Sequence, residues 1–195
     1  MWLLAALIGA TAASAACDRR SPTPSAPPPP FGGDFTLTNQ DNARFRLADV
    51  RGRPVLLFFG YTSCPDMCPV TMSRITGAIG RLGSAGSEVV TLFVSVDPQR
   101  DTPAVLKEYV GSFSTPVIGL TGSYDEIMRV AAAYKASFEV VPTGTRNYLV
   151  NHTSAIFLID RAGKLRQYFK FDEKPEVIAA GLRTVLDEKM GASAQ

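Results

Sequence analysis

Apolar residues in the middle of the chain fall into an unbroken run followed by a helical stripe. Residues 55–59 form a continuous apolar run of strand length, which is typical of a strand buried on both faces. Pro69 fits the first turn of the following helix, because proline further inside would remove a hydrogen bond. The segment therefore predicts a strand, a loop containing Cys64, and a helix that starts near Cys68. The apolar stripe of that helix, at steps of three and four, is Met72, Ile75, Ile79 and Leu82.

The rest of the pattern predicts strands that alternate with helices, between two hairpins. Alternating residues on both sides of the turn-rich segment 39–42 predict an opening hairpin. The later elements are predicted as a strand at 89–96, a helix starting at 101–103, a strand at 117–120, a helix at 124–134, an antiparallel hairpin of 154–160 with 164–169, and a last helix at 175–189. This order predicts an α/β fold: a central mixed sheet flanked by helices, with an N-terminal β-hairpin extension.

Composition limits the classes of function that the chain can have. Its 195 residues, 46% of them hydrophobic, and its net charge of +2 suit one globular domain with a leader attached. The basic residues are scattered and form no arginine-rich helix, so we expect no nucleic-acid partner.

The first residues predict export. Residues 2–16 are apolar or small and too few to span a bilayer, which is typical of a secretory signal. Cys17 directly follows Ser14, Ala15 and Ala16, as in a bacterial lipoprotein processing site, although Ser14 stands where leucine is usual. We expect Cys17 to become a lipid anchor; ordinary cleavage after Ala15 or Ala16 is the alternative.

A proline-rich segment separates this leader from the folded part. Residues 21–30 contain six prolines and no large apolar side chain, so they predict an extended tether of about 3 Å per residue. The predicted organisation is a signal peptide at 1–16, the tether at 17–33, one domain at 34–190 and a flexible C-terminus at 191–195.

Two of the three cysteines lie four positions apart at the predicted strand-to-helix junction. Amides and the positive dipole end at a helix start favour thiolate, so Cys64 and Cys68 are predicted to be more acidic than free cysteine. Such a pair binds a soft cation or forms a disulfide. In an exported chain, a purely structural or redox disulfide is the competing interpretation.

Several other residues near these segments are candidates with two interpretations. Asp66 steers a cationic partner or caps the helix, and Asp97, at the end of a predicted central strand, belongs to the site's surroundings or to partner docking. Asp101 and Thr102 are predicted to cap the next helix. Met72 is predicted to lie in the core, whereas Met67 is undecided between core and thioether ligand. Residues 141–145 are predicted to form a mobile loop beside His152.

Three segments together resemble the SCO/SenC family of copper proteins. They are the run Cys64-Pro65-Asp66-Met67-Cys68-Pro69, residues 97–103, and His152, the only histidine, just before an apolar strand. The resemblance covers almost the whole domain and implies a thioredoxin-like fold facing the periplasm or the intermembrane space. It implies copper binding through Cys64, Cys68 and His152, and a role in assembling the dinuclear copper site of cytochrome c oxidase.

The chemistry of these residue types agrees with that implication. A lone histidine is more often an ordinary surface or core residue, and only the cysteine pair and the resemblance favour a ligand. Thiolates suit Cu(I), and an added imidazole lets the site tolerate Cu(II). Thioredoxins place a cis-proline in the loop before the hairpin strand, where it holds the substrate chain during disulfide exchange. In this chain the corresponding position falls near Ser154, so that proline is missing, which favours metal handling over general disulfide exchange. Zinc is the competing metal for two thiolates and an imidazole.

The leading hypothesis is a copper metallochaperone tethered on the periplasmic side of the bacterial inner membrane. It would pass Cu(I) or Cu(II) to the copper-bearing subunit of cytochrome c oxidase, with another periplasmic copper chaperone as a candidate partner. The main alternative is a thiol-disulfide oxidoreductase that uses Cys64 and Cys68 to keep the acceptor's cysteines reduced. A peroxidase ranks lower, because the residues around Cys64 match no peroxidatic motif.

Overall fold

The computed structural model describes residues 31–144 and 147–188. The predicted signal peptide, Cys17, most of the tether and the predicted flexible C-terminus lie outside these residues. From its first described residue the chain contacts the domain: Phe31 packs against the core, and the Gly32 amide donates to the Ala133 carbonyl at 2.7 Å. None of the helices in the described part has the length and apolar content that a membrane crossing needs.

Nine strands and four helices make up the described part of the chain. The strands are β1 (Thr36–Asn39), β2 (Arg44–Arg46), β3 (Val55–Gly60), β4 (Val90–Ser95), β5 (Val117–Thr121), β6 (Phe138–Pro142), β7 (Tyr148–His152), β8 (Ile156–Ile159) and β9 (Leu165–Phe169). The helices are α1 (Met67–Gly80), α2 (Pro103–Gly111), α3 (Tyr124–Ala133) and α4 (Pro175–Asp187), with short 3₁₀ helices at Leu47–Val50 and Gly83–Glu88.

Seven of the strands form one mixed sheet in the order β2-β1-β5-β4-β3-β8-β9. Strands β3, β4 and β5 are parallel, whereas β8 and β9 close one side and β1 and β2 the other side as antiparallel hairpins. Every residue of β3 and β4 is buried, as their unbroken apolar runs predict. The predicted α/β fold with its N-terminal hairpin is therefore confirmed.

Helix α1 contributes the predicted stripe to the core. Met72, Ile75 and Ile79 are buried, while Leu82 lies just past the helix end and is partly buried. Helix α1 packs against α4, and α2 packs against β5. The cysteine loop therefore joins the fully buried strand β3 to a helix that packs its apolar stripe into the core.

One predicted loop is wrong. Val141 and Pro142, predicted as part of a mobile loop, belong to strand β6, which pairs with β7 in a separate two-stranded antiparallel sheet. His152 is the last residue of β7 and lies opposite Phe138. The histidine is therefore presented by a hairpin and not by a simple connection.

Candidate metal centre

The cysteine loop runs from the end of β3 to the start of α1, as the sequence predicts. Asp66 is the residue before α1, and Pro69 lies in the first turn. The Cys68 amide lies 3.5 Å from Cys64 Sγ, so an otherwise unpaired amide of the first turn points at that sulfur. Cys68 is fully buried, whereas Cys64 is only partly buried. One sulfur is thus held in the core and the other is open to approach.

His152 reaches the cysteines from the β6–β7 hairpin. Its Nε2 lies 3.6 Å from Cys68 Sγ, and its Nδ1 lies 3.1 Å from the Thr153 carbonyl oxygen. When Nδ1 carries the proton it donates to that carbonyl, and the Nε2 lone pair then faces the sulfurs. Phe58 and Tyr61 contact the imidazole edge-on, with ring centroids 6.0 and 5.8 Å away.

The donor atoms of Cys64, Cys68 and His152 all lie within 4.8 Å of one another. Residues far apart in the sequence are thereby brought into one cluster that could hold a metal ion. Two sulfurs and one imidazole nitrogen are a soft donor set, which fits a copper or zinc ion better than a hard cation such as magnesium.

Burial sets the ionisation of the cluster. Burial raises the pKa of the Cys68 thiol well above its usual range, with a backbone hydrogen bond from Tyr61 acting in the opposite direction. The prediction of an acidic Cys68 is therefore wrong, because desolvation outweighs the amides at the start of α1. Burial also lowers the pKa of His152, which keeps its imidazole neutral. A metal ion binding here displaces a proton from Cys68.

The other candidate residues near the cysteines differ in burial and in contacts. Asp66 is exposed and its side chain makes no capping hydrogen bond, so the capping interpretation is wrong and the partner interpretation stays a prediction. Met72 is fully buried in the core, as predicted. Met67 is the first residue of α1 and half-buried.

Asp97 joins the loop after β4 to the hairpin. It is 4% exposed, forms an ion pair with Arg100, and accepts a hydrogen bond of 2.8 Å from the Tyr148 hydroxyl. Arg100 in turn donates to the Tyr148 carbonyl at 3.1 Å. The predicted second-sphere or docking residue thus contacts the element that carries His152.

The capping prediction is right for Thr102 and wrong for Asp101. Thr102 accepts a hydrogen bond of 3.4 Å from the Val105 amide at the start of α2. Asp101 is fully buried and accepts from the Thr62 amide at 3.0 Å, the Thr62 hydroxyl at 2.6 Å and the Ser95 hydroxyl at 2.6 Å. Burial raises the pKa of this carboxyl against those three hydrogen bonds. Asp101 therefore fixes the cysteine loop two residues before Cys64.

Sequence reasoning missed the parts played by Tyr61, Arg100 and Tyr148. One signal was present: Tyr148, Val150 and His152 follow each other at steps of two, the period of a strand with one buried face. That period would have indicated strand β7, although not its pairing with β6.

Comparisons with known proteins agree on one family. The SCO1/SenC family model matches residues 23–187. Protein SenC of Rhodobacter capsulatus is 35% identical over 173 residues, which cover 89% of this chain and 77% of that protein. A SCO2-like protein of Rickettsia felis is 36% identical over 155 residues, covering 78% of this chain and 76% of the relative.

Solved structures of Sco proteins share the fold. Bradyrhizobium japonicum ScoI with copper bound has 39% sequence identity and a TM-score of 0.73, covering 80% of this chain and 99% of that one. Yeast Sco1 with copper bound has 28% identity and a TM-score of 0.76, covering 84% and 92%. BsSco, described as a member of the Sco family of cytochrome c oxidase assembly proteins with a disulfide switch, has 25% identity and a TM-score of 0.67, covering 84% and 98%.

Proposed function

The chain belongs to the SCO1/SenC family, as its motifs predict, and from that premise we propose that it is a copper metallochaperone for cytochrome c oxidase assembly. Its thioredoxin-like fold is confirmed by the Sco structures, which it matches over almost their whole length. In this proposal one copper ion is the cargo, and Cys64, Cys68 and His152 hold it.

The convergence of three donors within 4.8 Å is the observation that carries the proposal. Two thiolates favour Cu(I), and the imidazole keeps the site usable for Cu(II), so the ion can change valence and stay bound. Three protein ligands leave room for a ligand from an acceptor. Because Cys64 is partly exposed, exchange with an acceptor would begin at this sulfur and the hairpin side of the site.

The acceptor in this proposal is the copper-bearing subunit of cytochrome c oxidase. The description of BsSco as an oxidase assembly protein and the copper-bound ScoI and Sco1 structures support it. We propose that a second periplasmic copper chaperone is the donor, and that Cys17 and the tether hold the domain on the periplasmic side of the inner membrane.

A second candidate function is favoured by the proximity of the two cysteines. The Cys68 amide lies 3.5 Å from Cys64 Sγ, and the two sulfurs lie within 4.8 Å of each other. As a thiol-disulfide oxidoreductase, the pair would give two electrons and two protons to an acceptor disulfide, forming a Cys64–Cys68 disulfide and two acceptor thiols. This reaction would prepare the acceptor to receive copper.

Replacement of His152 separates the two functions. In His152→Ala we expect tight copper binding to be lost, because two thiols alone leave the site one ligand short, while the Cys64–Cys68 disulfide still forms. Copper titration against a competing chelator and thiol counting after oxidation measure the two properties. Cys64→Ser is the control that should lose both. If His152→Ala binds copper as tightly as the parent protein, His152 is not a copper ligand.

A further inference from the structure

The hairpin that carries His152 stands apart from the main sheet. In the described residues, β6 and β7 pair with each other and with no strand of the seven-stranded sheet. Only residues 153–155 separate β7 from β8. Sheet hydrogen bonds therefore do not fix where His152 lies, and side-chain contacts must do so.

One face of β7 is turned toward the body of the domain. Tyr148, Val150 and His152 occupy alternate positions, and alternate side chains of a strand share a face. Val150 is 4% exposed, whereas Leu149, on the opposite face, is 41% exposed. A contact made at Tyr148 therefore acts on the same face, and on the same strand, as His152.

Asp97 and Arg100 hold Tyr148 at three points. The Tyr148 hydroxyl donates to Asp97 Oδ1 at 2.8 Å, and Arg100 Nη1 donates to the Tyr148 carbonyl at 3.1 Å. The Arg100 guanidinium also lies 3.7 Å from the centre of the Tyr148 ring, which is cation–π geometry. The Arg100–Asp97 ion pair fixes both partners, and Asp97 is almost fully buried.

Arg100 also contacts the surroundings of His152 directly. Its guanidinium carbon lies 5.6 Å from the centre of the Tyr61 ring, and the Tyr61 ring packs edge-on against the imidazole. Arg100 thus lies against one tyrosine of the hairpin and one of the cysteine loop, the two elements that must meet for Cys68 and His152 to be adjacent.

We propose that Asp97 and Arg100 are positioning residues for His152, acting through Tyr148. These three residues form a latch that holds the hairpin closed and presents the imidazole to Cys64 and Cys68. This inference rests on the proposed function for its purpose, the retention of copper until the acceptor is present. Opening of the latch withdraws His152 and leaves the ion on two sulfurs, from which an acceptor can take it.

Tyr148→Phe tests the latch with the smallest change, the loss of one hydroxyl. Loss of a hydrogen bond to a charged group should raise the opening equilibrium of the hairpin about tenfold. Hydrogen exchange of the β6 and β7 amides, followed by mass spectrometry or NMR, measures it, and amides of β3 and β4 should keep the parent's rates. Tyr168→Phe, at a tyrosine that is 58% exposed, is the matched control and should change nothing. Unchanged exchange in the hairpin of Tyr148→Phe overturns the latch.

The rate at which the protein loses copper is a second measurement, and a purely structural role of Tyr148 would not change it. If loss of Cu(I) to a soluble chelator passes through the open hairpin, Tyr148→Phe should accelerate it by the same factor, about tenfold. In the His152→Ala background Cu(I) is held weakly by the two sulfurs and already leaves faster; the same substitution should cause no further acceleration, because no imidazole remains to be positioned. Equal acceleration in both backgrounds would show that Tyr148 acts elsewhere and would overturn the inference.

Arg100→Gln is the second variant, because it removes the ring contact and the partner of Asp97. It should increase hairpin exchange more than Tyr148→Phe does; an effect no greater than that of Tyr168→Phe contradicts the role of Arg100. The exchange measurements need no copper. They therefore decide on the latch even if the parent protein fails to bind copper, which would instead defeat the proposed function.

Discussion

Burial of single side chains sets the chemistry of the site. The helix start predicts acidic thiols, yet Cys68 is fully buried and its pKa is raised. The same surroundings lower the pKa of His152 and keep Nε2 available to a metal. Because Cys68 must lose its proton when an ion binds, copper binding releases protons and weakens as pH falls. Without a metal ion, the site therefore carries a proton on Cys68 and a neutral imidazole on His152, and a soft cation must displace that proton to bind.

Removal of the buried Asp101 carboxylate should destabilise the fold. Asp101→Ala leaves the buried Ser95 hydroxyl and two donors of Thr62 without their acceptor, so we expect a loss of about 2–4 kcal/mol in the free energy of unfolding. Urea denaturation followed by circular dichroism measures it. Glu176→Ala, at an exposed ion pair with Arg81, is the control and should change stability little. Similar stability in both variants would contradict the anchoring role of Asp101.

The candidate ligands could be predicted from the sequence because their signal is local or carried by a family motif. Cys64 and Cys68 share one loop, and His152 is the only histidine. The positions of Asp101 and Tyr148 could not be predicted in this way. Asp101 bonds Thr62, 39 positions away in the sequence, and Tyr148 bonds Asp97, 51 positions away, so only folding brings these pairs together.

At the level of elements, the core strands and helices follow from apolar periodicity, whereas the hairpin does not. Strands β3 and β4 are nearly unbroken apolar runs, and α1 has an apolar stripe, so each element can be predicted from its own residues. Apolar and polar residues alternate only weakly along β6, and the strand ends in Pro142, a residue that is rare inside strands. Its pairing with β7 depends on packing against the body of the domain, which no local pattern contains.

Gly60, the last residue of β3, makes the approach of α1 to the sheet possible. A Cβ at this position would lie 2.8 Å from Phe93 Cε2 and 2.9 Å from Cys68 Sγ. Gly60→Ala should therefore destabilise the fold by about 1–3 kcal/mol and weaken copper binding by displacing Cys68. Calorimetric unfolding and copper titration measure the two effects. Gly80→Ala, at the end of α1 with nothing within 4 Å, is the matched control; equal behaviour of the two variants would contradict the account.

On the scale of the whole molecule, the site lies between the seven-stranded sheet with its helices and the separate β6–β7 hairpin. Both cysteines belong to the sheet-and-helix body, while His152 belongs to the hairpin. In the proposed function, such a division would let one ligand move without unfolding the rest, as a protein that binds an ion and later releases it requires. The proposed tether would let the whole domain reach its acceptor from the membrane surface.

The predicted lipid attachment at Cys17 has a direct test. We expect the mature protein to begin at Cys17 and to carry the added mass of a diacylglyceryl group, because small residues precede this cysteine. Mass spectrometry of the protein from a bacterial membrane fraction measures it, and Cys17→Ser should appear in the soluble periplasmic fraction. An unmodified N-terminus at Ala16 or Cys17 would indicate ordinary signal-peptide cleavage.

The central claim is that Cys64, Cys68 and His152 bind one copper ion together. X-ray absorption spectroscopy of the copper-loaded protein tests it most directly, because sulfur and imidazole neighbours scatter differently. The account predicts one copper per chain with two sulfur neighbours and one imidazole nitrogen, and loss of the imidazole contribution in His152→Ala. A copper ion without sulfur neighbours, or a spectrum that His152→Ala leaves unchanged, would contradict it.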